Sequence, residues 1–181
     1  MQSHPVSYYA IINALYQLLE TTDFKKITIN DICHQASISR STFYKLFKDK
    51  YDILEQENQK ICDTVDMALK EFLTMANLED SLKQLINQIN HEKFIQLIPI
   101  EESSVNLRKN LRLVFKQNYM LYYEKELIDQ KWQIDSTFAL DMFCSIALTY
   151  LENSIKSKNK ITIDQNTAFI KEMVNMFLIL K

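Results

Sequence analysis

The sequence predicts an all-α protein, and three observations predict it. Glycine is absent from the 181 residues, only two prolines interrupt the chain, and apolar residues recur at three- and four-residue intervals along much of it. Without glycine there is almost no easy route to positive φ, so the hairpin turns and bulges of β-proteins would all fall to Asn, Asp or Ser. Pro5 and Pro99 can both sit outside helices, which leaves long Leu-, Ile-, Lys-, Glu- and Gln-rich stretches free to be helical. A composition of 47% hydrophobic and 24% charged residues is that of an ordinary globular protein, long enough for one or two domains without metals or crosslinks.

Taken in order, Tyr8, Ile12, Leu15, Tyr16 and Leu19 form one apolar stripe, a first helix that stops at the Thr-Thr-Asp of residues 21–23. Asp23 is the residue there best able to take a left-handed backbone. Thr28, with Asp31 three positions on, reads as a capping box for a short second helix that carries Ile29, Ile32 and Ala36 on one face. Ser37 and Ile38 make a turn, and Ser39 caps a third helix through Phe47. Asp49 caps a fourth helix with Asp52 at its third position and a stripe of Leu54, Ile61, Val65, Leu69 and Phe72. Further helices are expected near Leu78 to Asn90, Lys93 to Leu97, Val105 to Gln130, Asp135 to Lys156 and Gln165 to Leu180.

Two short helices joined by a turn of about three residues form a helix-turn-helix pattern. In that arrangement the second helix lies in the major groove of DNA, and its first turns need small or hydrogen-bonding side chains. Arg40, Ser41, Thr42 and Lys45 meet that need. Phe43 and Phe47, four apart, face inward, so Tyr44 points away from the core, where its hydroxyl can reach a phosphate while Lys45, Lys48 and Lys50 neutralise others. Thr28 and Lys50 stand at helix starts, whose N–H groups and positive dipole also favour phosphate.

Charge agrees. The formal net charge is −2, but Phe24 to Lys50 holds Lys25, Lys26, Arg40, Lys45, Lys48 and Lys50 against only Asp31 and Asp49. A polyanion responds to such a local excess and not to the overall balance. Cys33, Cys62 and Cys144 are widely spaced without a C-x-x-C pattern, which fits free thiols in a reducing cytoplasm. No signal-peptide pattern and no apolar run of membrane-spanning length is present, so a cytoplasmic protein without membrane partners is expected.

The stretch FKKITINDICHQASISRSTFYKLFKDKYDIL resembles the DNA-binding domain of the TetR/AcrR family of bacterial transcriptional regulators, over roughly residues 8 to 56. The resemblance implies that Thr28, Arg40, Ser41, Thr42, Tyr44, Lys45 and Lys50 occupy DNA-facing positions and that Ile32, Ala36, Ile38, Phe43 and Phe47 are core. It implies a helix-turn-helix domain over residues 1–50, then a helical effector-binding and dimerisation domain over 51–181. The family often has glycine where this chain has Asp23 and Ser37, and serine in a positive-φ turn costs about 1 kcal/mol.

In the second half, Phe138, Met142, Ile146 and Tyr150 form one stripe and Phe169, Met173, Met176, Phe177 and Leu180 another. Such stripes are either internal core or, as the resemblance implies, a two-fold four-helix interface between two copies. Tyr119, Met120, Tyr122, Tyr123 and Trp132 concentrate aromatics with polar handles, which line a small-molecule pocket or pack a core, with Met142, Phe143 and Cys144 placed to close such a pocket.

No enzyme is read here. His4, His34 and His91 form no metal-site pattern, no glycine exists for a phosphate loop, and no nucleophile has a readable partner, so neither metal nor cofactor is expected. The expectation is a homodimeric repressor released from operator DNA by a small-molecule effector. The alternative is a protein of the same fold acting by binding another protein.

Overall fold

A computed structural model describes residues 4–74, 88–102, 105–126 and 136–156. Among these residues there are seven helices: α1 (Val6–Leu19), α2 (Ile29–Gln35), α3 (Arg40–Leu46), α4 (Lys50–Thr74), α5 (His91–Leu97), α6 (Leu107–Glu126) and α7 (Ser136–Lys156). No strand forms among them, only an isolated bridge between Glu101 and Asn106. The fold is all-α, with an N-terminal helix-turn-helix followed by helices. The helices expected near Leu78 to Asn90 and Gln165 to Leu180 lie wholly or largely outside the described residues. No described helix is long and apolar enough to cross a membrane.

The chain divides into two compact units, Met1–Lys60 with Ile95–Leu107, and Ile61–Phe94 with Arg108–Lys181; α4 contributes residues to both. In the first unit α1 buries Tyr8, Ile11, Ile12, Ala14, Leu15 and Tyr16. The helix ends without a left-handed residue: the Thr21 and Thr22 N–H groups both donate to Leu18 O, and Asp23 keeps a negative φ. The expectation of a left-handed Asp23 is therefore corrected. Its carboxylate accepts from the Lys25 N–H at 2.8 Å while its carbonyl accepts from the Lys26 N–H, so a side-chain turn does the work a glycine backbone would do.

The capping box at α2 is complete: Asp31 N–H donates to Thr28 Oγ1 at 3.2 Å and Thr28 N–H to Asp31 Oδ2 at 2.8 Å. At its other end Ser37, with φ 53°, is the one non-glycine residue with positive φ among the described residues. The Ile38 N–H reaches Cys33 O and the Ser37 N–H reaches His34 O, the paired bonds of a Schellman ending, which turns the chain into α3. Phe47 follows α3 in an extended conformation, so that helix is one residue shorter than expected.

The core of this unit gathers around Phe43 and Phe47, both essentially inaccessible, with Tyr8 stacked on Phe47 at 5.1 Å and Ile11, Leu15, Ile32, Ile53 and Leu54 fully buried. Each such side chain contributes about 1.5–3 kcal/mol by leaving water. A polar chain ties α1 to α4 along the same side. Tyr16 donates to Glu57 at 2.9 Å, Lys60 donates to Glu57 at 2.6 Å and to Tyr8 at 3.2 Å, and Tyr8 donates to Gln56 at 2.9 Å.

In the second unit α6 presents Leu111, Phe115 and Tyr119 and α7 presents Leu140, Phe143, Cys144, Ala147, Leu148 and Leu151 to the interior. The Arg108 guanidinium forks onto the Glu152 carboxylate at 2.8 and 3.0 Å, and Asn118 donates to Asp66 of α4 at 2.8 Å. Paired, hydrogen-bonded charges of this kind fix helix register more surely than they add stability.

Candidate nucleic-acid interface

The seven residues of α3 divide as their helical phase dictates. Phe43 is fully buried, whereas Tyr44, the next residue, is 49% exposed and meets the Phe43 ring edge-on at 5.5 Å. Arg40, Ser41 and Lys45 are exposed and Thr42 is half-buried; Lys48, two residues past the helix, is exposed as well. The helix is locked at its start by Ser39, whose Oγ accepts from the Thr42 N–H at 3.1 Å and shares hydrogen bonds with the Ser41 and Thr42 hydroxyls at 2.8 and 2.9 Å. Just past its end, Asp49 caps α4 by accepting from the Tyr51 and Asp52 N–H groups, and Asp52 accepts from the Lys48 N–H at 2.9 Å, which fixes the turn between the two helices.

Arg40 and Tyr44 lie four apart and interact. Arg40 Nη2 donates to the Tyr44 hydroxyl at 3.3 Å, and the guanidinium carbon stands 5.8 Å from the ring centroid. Their shared exposed face presents an aromatic, a fork of N–H donors and, one position on, the ammonium of Lys45.

The structure places the predicted DNA-facing residues unequally. Lys50 is half-buried, and its ammonium donates to the carbonyls of Phe24, Lys25 and Ile27 at 2.8, 3.2 and 2.7 Å while standing 4.5 Å over the Phe24 ring. Burial holds its pKa below the usual lysine value. That lysine staples the loop before α2, which sequence reading missed because carbonyl partners leave no mark in a sequence. The Thr28 hydroxyl is likewise engaged, with Asp31, and this hydrogen bond holds the Asp31 carboxyl below its ordinary pKa. Lys25 and Lys26, exposed on the same loop, add positive charge beside α2; their signal in the sequence was the local charge excess.

Of the residues read as a pocket, Tyr119 is buried and packs on Phe143 at 5.0 Å, whereas Met142 is on the exposed side of α7. Tyr122 and Tyr123 lie on α6 but their side chains, like Trp132, fall outside the described residues. Of the residues read as an interface, Phe138 is 60% exposed and Ile146 and Tyr150 are half-buried; Phe169, Met173, Met176, Phe177 and Leu180 fall outside the described residues. No group of three or more metal-ligating side chains occurs among the described residues.

Comparison with known proteins agrees with this geometry. Residues 11–56 match the family model of bacterial regulatory proteins, tetR family. No curated protein sequence matches the chain. Among solved structures, a TetR transcriptional regulator from Streptococcus agalactiae is similar at 21% identity and a TM-score of 0.65, with 94% of this chain and 93% of that one covered. The fatty acid degradation regulator FadR from Bacillus halodurans is similar at 20% identity and a TM-score of 0.56, over 98% and 97% of the two chains. A dihydroxyacetone kinase operon activator, DhaS, is similar at 14% identity and a TM-score of 0.57, over 95% and 96%. The match falls on the segment that builds α1 to the start of α4, and the likeness in fold runs the length of the chain: residues 11–56 match the tetR-family model as a helix-turn-helix domain, and the chain as a whole has the fold of TetR-type regulators.

Proposed function

We propose that the protein is a dimeric regulator that binds operator DNA through residues 28 to 50 and is released when a small-molecule effector enters the second domain, residues 51–181. The observation that carries the DNA reading is the division of α3 and the residues just after it: Phe43 and Phe47 are buried, while Arg40, Tyr44 and Lys45 on this short, serine-capped helix and Lys48 just beyond it are left exposed. Such a helix suits the major groove, with lysines on phosphates and the arginine at the base edges. Two copies related by a two-fold axis read a palindromic site, and α4, with residues in both units, is the element through which effector binding would alter the spacing of the recognition helices. Repression by exclusion of polymerase is the expected sign, although one protein of similar fold is named an operon activator.

A second reading, action through another protein with little direct DNA binding, draws on Lys50, whose ammonium is occupied by three carbonyls. Selection of bound duplexes from a random pool, run with the purified protein and an Arg40→Ala/Tyr44→Ala variant at two salt concentrations, separates the two. A palindromic motif enriched by the protein and lost in the variant supports operator binding; no enrichment over the variant assigns the protein to the second reading.

A further inference from the structure

With α3 in the major groove, its first turn offers few free base readers. The Ser41 and Thr42 hydroxyls are both bonded to Ser39 Oγ, and the Lys50 ammonium is turned into the 24–27 loop. Arg40 is different. It is the first residue of the helix, it is exposed, and among the described residues no carboxylate pairs with it. Its one hydrogen bond there uses a single Nη2 proton, given to the Tyr44 hydroxyl at 3.3 Å. A guanidinium carries five N–H donors, so a forked pair remains.

We infer that Arg40 reads a guanine in each half-site through its free donor pair, and that Tyr44 is the positioning residue that aims it; both roles rest on the operator reading. Guanine presents N7 and O6 side by side in the major groove, and a forked arginine is the side chain that matches both. An unsupported arginine must lose the freedom of its long side chain to do so; here the aromatic ring and hydroxyl one turn on narrow that freedom beforehand. A tyrosine hydroxyl accepts one hydrogen bond and donates another. While it accepts from Arg40, its own proton is available to a phosphate oxygen. The phosphate contact and the Arg40–Tyr44 hydrogen bond then share one oxygen atom, so the guanidinium is aimed when the helix is seated on the strand.

The test is duplex selection with the full-length protein, Arg40→Ala, Arg40→Lys and Tyr44→Phe. Both sites are exposed, and thermal melts confirm folding of each variant. The protein itself is expected to enrich a motif with one strongly preferred guanine per half-site. Arg40→Ala should flatten that position and leave the others, and Arg40→Lys, a point charge without a fork, should lower the guanine preference by about tenfold. Tyr44→Phe keeps the ring and loses the hydroxyl; it should weaken preference at the same position several-fold more than at any other. A uniform loss of affinity in Tyr44→Phe would reduce Tyr44 to an ordinary phosphate contact and overturn the positioning role. Preferences unchanged in Arg40→Ala would overturn the base assignment while operator binding stands. If the protein itself enriches no motif, the operator reading fails and the roles of Arg40 and Tyr44 fail with it.

Discussion

Ser37 holds φ at 53°, a conformation a side chain with a Cβ adopts at a cost of about 1 kcal/mol relative to glycine. The Schellman bonds on either side of it hold it there, so the strain is not relieved by slippage of the turn. Ser37→Gly is therefore expected to raise the unfolding free energy by about 1 kcal/mol, read as a higher urea midpoint with an unchanged slope. Phe43 and Tyr44 give the sharper contrast. Phe43→Ala empties the fully buried centre of the first unit and should cost about 3–5 kcal/mol, whereas Tyr44→Ala, at an exposed site, should move stability by about 0.5 kcal/mol or less while weakening DNA binding. This inside-outside phase was legible in the sequence because a helix assigns neighbours to faces about 100° apart. The left-handed Ser37 was legible too, from family likeness, while the parallel expectation at Asp23 failed because a carboxylate can close a turn through its side chain.

At the scale of elements, helix starts were easy to read and charged side chains were not. The box at Thr28 and the cap at Asp49 form as the spacing predicts, since capping is a local exchange between residues a few positions apart. Lys50 shows the opposite case: its partners lie 23 to 26 residues earlier, and only the folded chain brings them together. Its role separates it from its neighbours experimentally. Lys45→Ala and Lys48→Ala, each removing an exposed charge, should reduce the slope of log affinity against log salt by about 1. Lys50→Ala should leave that slope nearly unchanged and cost about 1–3 kcal/mol of stability, because three carbonyls lose their donor. A full reduction of the slope in Lys50→Ala with normal melting would show that the lysine leaves its loop for phosphate. The α1–α4 polar chain was also hidden in the sequence: Tyr16 and Glu57 are 41 residues apart, and nothing local marks them as partners.

Over the whole molecule the basic front and acidic remainder were legible from counting alone, but the use of the second half was not. An apolar stripe is written the same way for a core, a pocket or an interface, and in α7 one such stripe runs from exposed Phe138 through Met142, beside a face buried at Phe143 and Cys144. The three cysteines report on this burial across the chain, Cys33 in the first unit and Cys62 and Cys144 in the second. Burial pushes all three thiols up, Cys62 to about 11. An unfolded cysteine ionises near 8.5, so between there and about 11 the unfolded chain has released a proton that folded Cys62 retains. Fewer protons bound by the unfolded state means that stability falls as pH rises through this window, with none of the loss present below it. Tyr16, raised by its own burial and by the Glu57 carboxylate beside it, begins to act in the same direction only once an unfolded tyrosine ionises, near pH 10. Urea midpoints measured from pH 7 to 9.5 should therefore decline, and Cys62→Ala should flatten the decline while lowering the midpoint at every pH. Alkylation at pH 8 should be slow for all three thiols in the native protein and complete in urea. Rapid native labelling of Cys62 would mean that the buried face of α4 opens, and the alkaline decline would then have to come from other groups.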